Sequence, residues 1–557
     1  MAEQIPPCAD PTSSYATHEV TNQPSELTGY NAFRDDRALT QAIEVLGGGW
    51  YQAELAAFGA QVGTARVQVL ARQANRHPPE LISHDRFGRR IDEIEFHPAW
   101  HELMAMARAS GTHSLCWEPR HRGRQGLHVA RAGLSFLLNQ AENGICCPIT
   151  MTFAAHAALR HQPDLLQTYA PALYHNSHDP RPLPAAQKSA LTVAMAMTEK
   201  QGGSDLRQIQ TKAQKSGQIW LLTGHKWFFS VPQSDLFLTL ARSEKGISCF
   251  LAPGWLADGS RNRLILQRLK DKCGNRSNAS AEVEFRGLEA QLVGEEGRGI
   301  ATILEMAHLT RLDCAISAGA IMRQSLRQAI HHCRQRHAFQ RALIDQPLME
   351  SVLADLALDS EAFLWSGLRL AQTQDDGEAG ALLGRIAIPM GKYLACKRAP
   401  AFVAETLECH GGNGYVEDHM MARLYREAPL NGVWEGSGNV ICLDVLRAAQ
   451  TSPKSLELWH DEVALARGGS RDFDRALQDI EGVLRDLGSA QGRARFVVER
   501  MARLFQASLL LRHAPSMLAE AFCRQRLGRH SGQDYGAVLG VSNARQIIDR
   551  AGILESG

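Results

Sequence analysis

The chain of 557 residues predicts a mostly α, α+β fold, on three observations. Apolar residues recur at three- and four-residue spacing over two long stretches, 41–185 and 294–449. Short β-type runs separated by Gly, Pro, Asn and Ser fill the interval 186–293. Helical periodicity then resumes beyond residue 449 and continues toward the C-terminus. The expected order is an N-terminal arm (1–40), an N-terminal helical domain (41–185), a middle antiparallel β domain (186–293), a four-helix bundle (294–449) and an extra C-terminal helical region (450–557).

The arm is rich in Pro, Ser, Thr and Asn and carries turn-formers at Pro6-Pro7, Pro11 and Pro24, which suits a segment that packs on a neighbouring subunit. Leu39, Ile43 and Leu46, then Leu55, Phe58 and Val62, begin the helical pattern. His97, Trp100, His101 and Trp117 read as packing groups, because isolated His and Trp side chains are usually that. The Pro- and His-dense stretch His175–Pro184 ends the first domain, and the runs LTVAMAM, IWLLTG, LFLTLAR, ISCFLAP and AEVEF make the second. After the glycine-rich turn Gly294–Gly299, Ile300, Ile303, Leu304, Leu309 and Leu312 start a long helix. Further runs near 346–376, 380–408 and 437–449 bring the bundle to four. Of His331, His332, Cys333 and His337, only Cys333 and His337 share a helix face and no carboxylate joins them, so no metal site is expected.

Composition bounds the function. Sixty basic residues stand against 59 acidic ones, so the whole-chain charge of +1 argues neither for nor against a polyanionic partner and any such argument must be regional. Only 11 of the basic residues are Lys, which makes Arg the default cation of this chain. Twelve cysteines without a CxxC pair, and one vicinal pair at Cys146-Cys147, fit a reducing compartment. The N-terminus has neither a basic n-region nor an apolar h-region, and no window reaches a membrane span of roughly 18 apolar residues. A soluble, cytoplasmic protein is expected.

The most informative stretch is Met195–Ser230, MAMTEKQGGSDLRQIQTKAQKSGQIWLLTGHKWFFS. Two strand-like runs bracket a polar mouth in which Gly202 and Gly203 permit close backbone approach and an aromatic can cover a flat ring. An ordinary hairpin with a Gly-Gly turn has the same spacing. The words MTEKQGGSD and GHKWFFS, however, resemble the FAD-cradling signature of the acyl-CoA dehydrogenase superfamily, and their wording is closer still to its AidB branch, flavoproteins of the bacterial adaptive response to alkylating agents. The likeness runs from about Asn22 to the C-terminus and includes Trp434-Glu435-Gly436-Ser437-Gly438-Asn439, which resembles the family's catalytic stretch.

What the resemblance implies is specific. Glu435 would be the base that removes the substrate's α-proton, and a carboxylate in a dry pocket has the raised pKa such a step needs. The family's alternative position for the base is occupied here by Thr310. Thr198 and Ser230 would hydrogen-bond the flavin, with Met195, Met197, Phe229, Trp434 and Gly436 around it; Phe228 would cover the ring, and Gly203 and Ser204 would reach the diphosphate. Arg336, Phe339, Gln346, Gly411 and Gly412, completed by Ser437 and Asn439, would hold the adenine half of an FAD on an adjacent subunit, so at least a dimer and usually a homotetramer is implied. Lys200-Gln201 replaces the usual Pro-Gly at the mouth, which implies weak acyl-CoA turnover.

Two functions follow. One is a flavoprotein that binds double-stranded DNA without sequence preference and protects it from alkylation, with weak dehydrogenase activity retained. From Gln491 onward the chain carries ten arginines against five carboxylates, and Arg493, Arg495, Arg500, Arg503, Arg524, Arg526 and Arg529 are the candidate phosphate contacts. The other is a dedicated dehydrogenase of a branched or unusual acyl-CoA, without DNA binding.

Overall fold

The computed structural model describes residues 17–486, 488–529, 532, 534–537 and 540–553. The N-terminal region contains helices α1 (Arg37–Val45), α2 (Gln52–Val62), α3 (Ala65–Arg76), α4 (Pro98–Ala109), α5 (Leu127–Ala141), α6 (Cys146–Leu159) and α7 (Pro163–Leu173). Between α3 and α4 lies an antiparallel hairpin, β1 (Glu80–His84) with β2 (Arg90–Glu95), which the sequence reading had included in a purely helical domain. Its turn is local chemistry: the Asp85 carboxylate accepts from the N–H groups of Phe87 and Arg89, and Gly88 takes a positive φ of 79°.

The middle region is a sheet of β3 (Val193–Ala196), β4 (Lys212–Ser216), β5 (Ile219–Ser230), β6 (Leu236–Ser243), β7 (Gly246–Pro253), β8 (Leu264–Leu269) and β9 (Ser280–Val293). The strand order is β3-β6-β4-β5-β9-β7, with β8 on β9, and the β6–β7 pairing closes five of the strands into a ring. Phe229, Phe237, Phe250 and Phe285 are fully buried in its interior. Most pairings are antiparallel as expected, but β3 and β4 each meet β6 in parallel. A parallel pairing needs a crossover, and between β3 and β6 the chain makes the whole β4–β5 hairpin.

Four long helices form the bundle: α8 (Gly299–Gln335), α9 (Pro347–Gln372), α10 (Gly377–Glu408) and, after the short α11 (Gly412–Tyr415) and α12 (Met420–Glu427), α13 (Gly438–Thr451). Residues 22–36, part of the expected arm, run along α8 within the chain. Asp36 is buried there, its carboxylate accepting from Arg323 at 2.6 Å and from Arg327 at 2.5 Å while also capping α1. The C-terminal region, α14 (Pro453–Ala464), α15 (Arg471–Leu484), α16 (Ala494–His513), α17 (Ser516–Leu527) and α18 (Ala544–Ala551), packs on α9, α10 and α13. Its core residues join the bundle's in one apolar cluster.

That packing corrects two DNA-contact assignments. Arg503 and Arg526 point inward to Asp359 of α9, at 2.9 and 2.8 Å, and Arg526 also pairs with Asp355 at 2.7 Å. Both guanidiniums are removed from solvent, so neither can meet a phosphate. The apolar face that carries α16 into the bundle takes its arginine with it.

Candidate active site

The expected flavin mouth forms where β3 ends and β5 ends. β3 and β5 are not neighbours in the sheet, yet the Trp227 N–H donates to the Thr198 carbonyl at 2.8 Å and ties the two ends together. A Cβ at Gly203 would lie 3.0 Å from the Thr198 side chain, so a glycine is what lets the turn fold against Thr198. Met195 is buried on β3, Met197 and Thr198 are half-buried, and Ser204 is exposed at the tip. The Ser230 and Ser280 hydroxyls hydrogen-bond at 3.1 Å.

A register shift between Lys226 and Phe229 sets the aromatic faces. Such a bulge re-aims side chains. Phe228 is 54% exposed, and Lys270 stands 4.5 Å from the centre of its ring and 3.5 Å from that of Trp227. Phe229 does not face the mouth as expected: it is fully buried and packs 4.8 Å from Phe237 inside the ring of strands. Behind the mouth is a buried ion pair that the sequence reading missed. Lys226 donates to Glu199 at 2.8 Å and to the Leu240 carbonyl at 2.9 Å, and Thr211 donates to the same carboxylate at 2.5 Å. Burial would raise the Glu199 pKa, but Lys226 and Thr211 hold it down to about 2. The alternation of β5 put Lys226 on its inner side, which was the available signal.

Glu435 comes to this mouth from the loop before α13. The Cys147 thiol of α6 is buried, and burial pushes it up to about 12, so it is inert packing. Glu435 has a positive φ of 58° and Gly436 one of 100°. The loop is held in that shape from below. Lys392 of α10, 1% exposed, donates to the carbonyls of Trp434 at 2.9 Å and Gly436 at 2.5 Å. Arg311 of α8 donates to the Glu435 carbonyl at 2.9 Å and is oriented by Asp444 at 3.0 Å. Trp434 is half-buried and donates to Asn431 at 3.0 Å. The Glu435 Oε2 atom is buried and has no hydrogen-bond partner among the described residues. Burial pushes the carboxyl pKa up, against the Thr310 hydroxyl and the charges of Arg311 and Lys392. A lone lysine inside the apolar run IAIPMGKYLAC was the sequence signal for Lys392.

The residues expected for the adenine half gather elsewhere, around Asn22 and Gln23. Asn22 accepts from Arg336 and from the His337 N–H at 2.7 Å, and Gln23 accepts from Asn413, beside Gly411 and Gly412, at 3.3 Å. Phe339 is 92% exposed and Gly411 and Gly412 face open space. Gln346 donates to the Ala338 carbonyl at 2.9 Å and so braces the loop carrying Phe339. Ser437 and Asn439 lie instead at the start of α13, where Asn439 accepts from Arg495 at 2.8 Å. A cavity of about 660 Å³ opens beside Lys270 and Lys272 and extends to Glu417–Arg426; its wall cations suit a phosphate-bearing ligand.

Residues 22–180 match the adaptive response protein AidB N-terminal domain, 194–288 the acyl-CoA dehydrogenase middle domain and 297–450 the acyl-CoA dehydrogenase C-terminal domain. AidB of Escherichia coli (strain K12) is 43% identical over 523 residues, 93% of this chain and 96% of that one. The crystal structure of Caenorhabditis elegans ACDH-11 in complex with C11-CoA superposes with a TM-score of 0.83 at 26% identity, covering 95% of each chain. Butyryl-CoA dehydrogenase of Megasphaera elsdenii shares the fold, with a TM-score of 0.59 at 18% identity over 72% of this chain and 97% of that one. The cofactor of these proteins is FAD, and the residues here fit it: an exposed aromatic face, a glycine turn folded on Thr198, and an unpartnered carboxylate oxygen. The chain belongs to the AidB branch of the acyl-CoA dehydrogenase family, FAD-dependent oxidoreductases.

Proposed function

We propose that this protein oxidises an acyl-CoA thioester, with Glu435 taking the α-proton. The observation that carries the reading is the Glu435 carboxyl itself, desolvated, with Oε2 unpartnered and its loop braced by Lys392 and Arg311. A carboxylate so placed is poised to accept a proton from carbon once a thioester excludes the remaining water. FAD, when bound, supplies the hydride acceptor. Thr198 and Ser230 would hydrogen-bond it, and Phe228 would cover its ring. The likeness to a C. elegans protein solved with C11-CoA supports an acyl thioester substrate. Lys200-Gln201 at the mouth favours slow turnover. Anaerobic mixing with a panel of straight and branched acyl-CoAs tests this: bleaching of the flavin by at least one is expected, and an unbleached flavin with all of them would remove it.

A second activity rests on the family and on the exposed arginines of the C-terminal region: sequence-indifferent binding of double-stranded DNA in the response to alkylating agents. Arg493, Arg495, Arg524 and Arg529 are exposed and Arg500 is half-buried, so these five replace the seven expected contacts. Five cations are enough for salt-sensitive binding. Duplex retardation that weakens with salt and with Arg493→Ala/Arg524→Ala/Arg529→Ala is the expected result; salt-independent or absent retardation would exclude it. No helix among the described residues is long and apolar enough to cross a membrane. The working form is a cytoplasmic homotetramer, in which the open Phe339 and Gly411-Gly412 surface receives the adenine half of a neighbour's FAD.

A further inference from the structure

A second cavity, of about 430 Å³, lies between α4, the β1–β2 hairpin, the segment 177–192 and the loops that follow β5 and β7. Neither Glu435, Thr198, Phe228 nor Ser230 lines it. Its volume is in the range of small-molecule sites, roughly 300–1,000 Å³. What sets it apart is the state of its polar groups. Both amide atoms of Gln233, the Ser234 hydroxyl, the Trp100 indole N–H and the Arg261 Nε are buried without a partner among the described residues, and all five belong to residues of this one wall. A buried polar group with nothing to pair with it is costly. So many together call for an occupant that returns donors and acceptors.

Most of the charges nearby are already paired. Arg108 gives its guanidinium to the carbonyls of Ser177, Leu191 and His175, at 3.1, 2.9 and 2.5 Å, and Lys188 is paired with Asp235 at 2.5 Å. His101 and His178 hydrogen-bond each other at 3.0 Å, and burial holds His178 down to about 4, so the pair is neutral at neutral pH. Arg261 is the wall cation left without an ion pair or hydrogen bond among the described residues, so a phosphate or carboxylate finds a single free cation here. The rings of Trp100, His101 and His178 cluster with centroids 5.1 to 5.8 Å apart and offer flat apolar surface. Gln233 presents an unpaired acceptor and an unpaired donor side by side, the pattern that reads an adjacent donor–acceptor edge of a heterocycle. Two non-glycine residues of this wall, Val231 at φ 59° and Asp92 at φ 49°, are also held in the left-handed region, and for the β-branched Val231 that is a marked strain.

We propose that this cavity is a second ligand site, for an uncharged planar nitrogen heterocycle of nucleobase size, held edge-on by Gln233 and against the Trp100–His101–His178 wall. The assignment does not rest on the acyl-CoA reading. Its test uses the FAD-loaded protein titrated with adenine, guanine, cytosine and uracil by calorimetry and by saturation-transfer NMR, with indole, which has a donor and no acceptor, as control. At least one base should bind saturably, one per chain and more tightly than indole. Gln233→Leu should weaken it at least tenfold while flavin content and acyl-CoA-driven bleaching stay as in the native protein. Ser234→Ala, a smaller change, serves where Gln233→Leu does not fold. Absence of binding by all four bases up to millimolar, equal binding by native protein and variant, or a crystal structure in which ordered waters alone satisfy the five atoms would overturn the assignment.

Discussion

Glu435 occupies a backbone conformation that costs a non-glycine residue on the order of 1–3 kcal/mol, and two cations reach its loop to hold it there. Its carboxyl, raised by burial, contributes stability that is full below its unfolded pKa and is lost as pH rises through the folded one. Glu435→Gln should therefore melt at a higher temperature than the native protein at neutral pH, and the difference should vanish near pH 4; melting curves across pH decide this. For the same reason flavin reduction by an acyl-CoA should slow as pH falls through the raised pKa, since only the ionised carboxyl accepts a proton. At this scale the motif words named Thr198, Ser230 and Glu435 as one site, and the structure ties the ends of β3 and β5 that carry the first two. They missed the direction of Phe229, because a bulge shifts which side of β5 each residue faces, and they missed the burial of Arg503 and Arg526, because charge in a sequence carries no record of a carboxylate on another helix.

Elements do the positioning. Lys392 on α10 fills two carbonyls of the Glu435 loop, so Lys392→Met leaves both unsatisfied, at about 1–3 kcal/mol each. The variant should retain FAD and lose at least about tenfold in the rate of flavin reduction, a split that stopped-flow kinetics beside a flavin content assay will read. The C-terminal helices are anchored by Asp359, which accepts from Arg503, Arg526, Arg398 and Tyr535. Burial would raise its pKa, yet Arg503, Arg526 and Arg398 hold it well below the usual range. Its contribution is present above the unfolded carboxylate pKa, near 4, and is lost as pH falls below that. Asp359→Ala should destabilise the protein by about 3–5 kcal/mol and expose α16 and α17 to protease, measured by urea unfolding and limited proteolysis. Helix existence was plain from periodicity throughout; the β1–β2 hairpin was not, because its apolar residues are few and their spacing suits either period.

For the whole molecule, the single chain leaves Phe339, Gly411 and Gly412 bare while Arg336 and Asn413 are braced by Asn22 and Gln23. An exposed aromatic beside an open glycine pair is a surface awaiting a partner. Phe339→Asp should yield smaller oligomers with less FAD per chain, read by light scattering and absorbance; a native mass and full flavin content would contradict that. Domain order was legible because one period dominates each region, the β1–β2 hairpin apart, whereas the merging of the C-terminal helices with the bundle depends on long-range pairs such as Arg550 with Glu361, at 2.8 Å, that no local pattern reveals. The claim on which the rest depends is that Glu435 is the proton acceptor. Exchange of the α-proton of an acyl-CoA in deuterium oxide, followed by NMR with native protein and with Glu435→Gln, tests it most directly. Deuterium should enter with the native protein and slow by at least about a hundredfold with the variant; entry at the native rate in the variant would contradict the assignment.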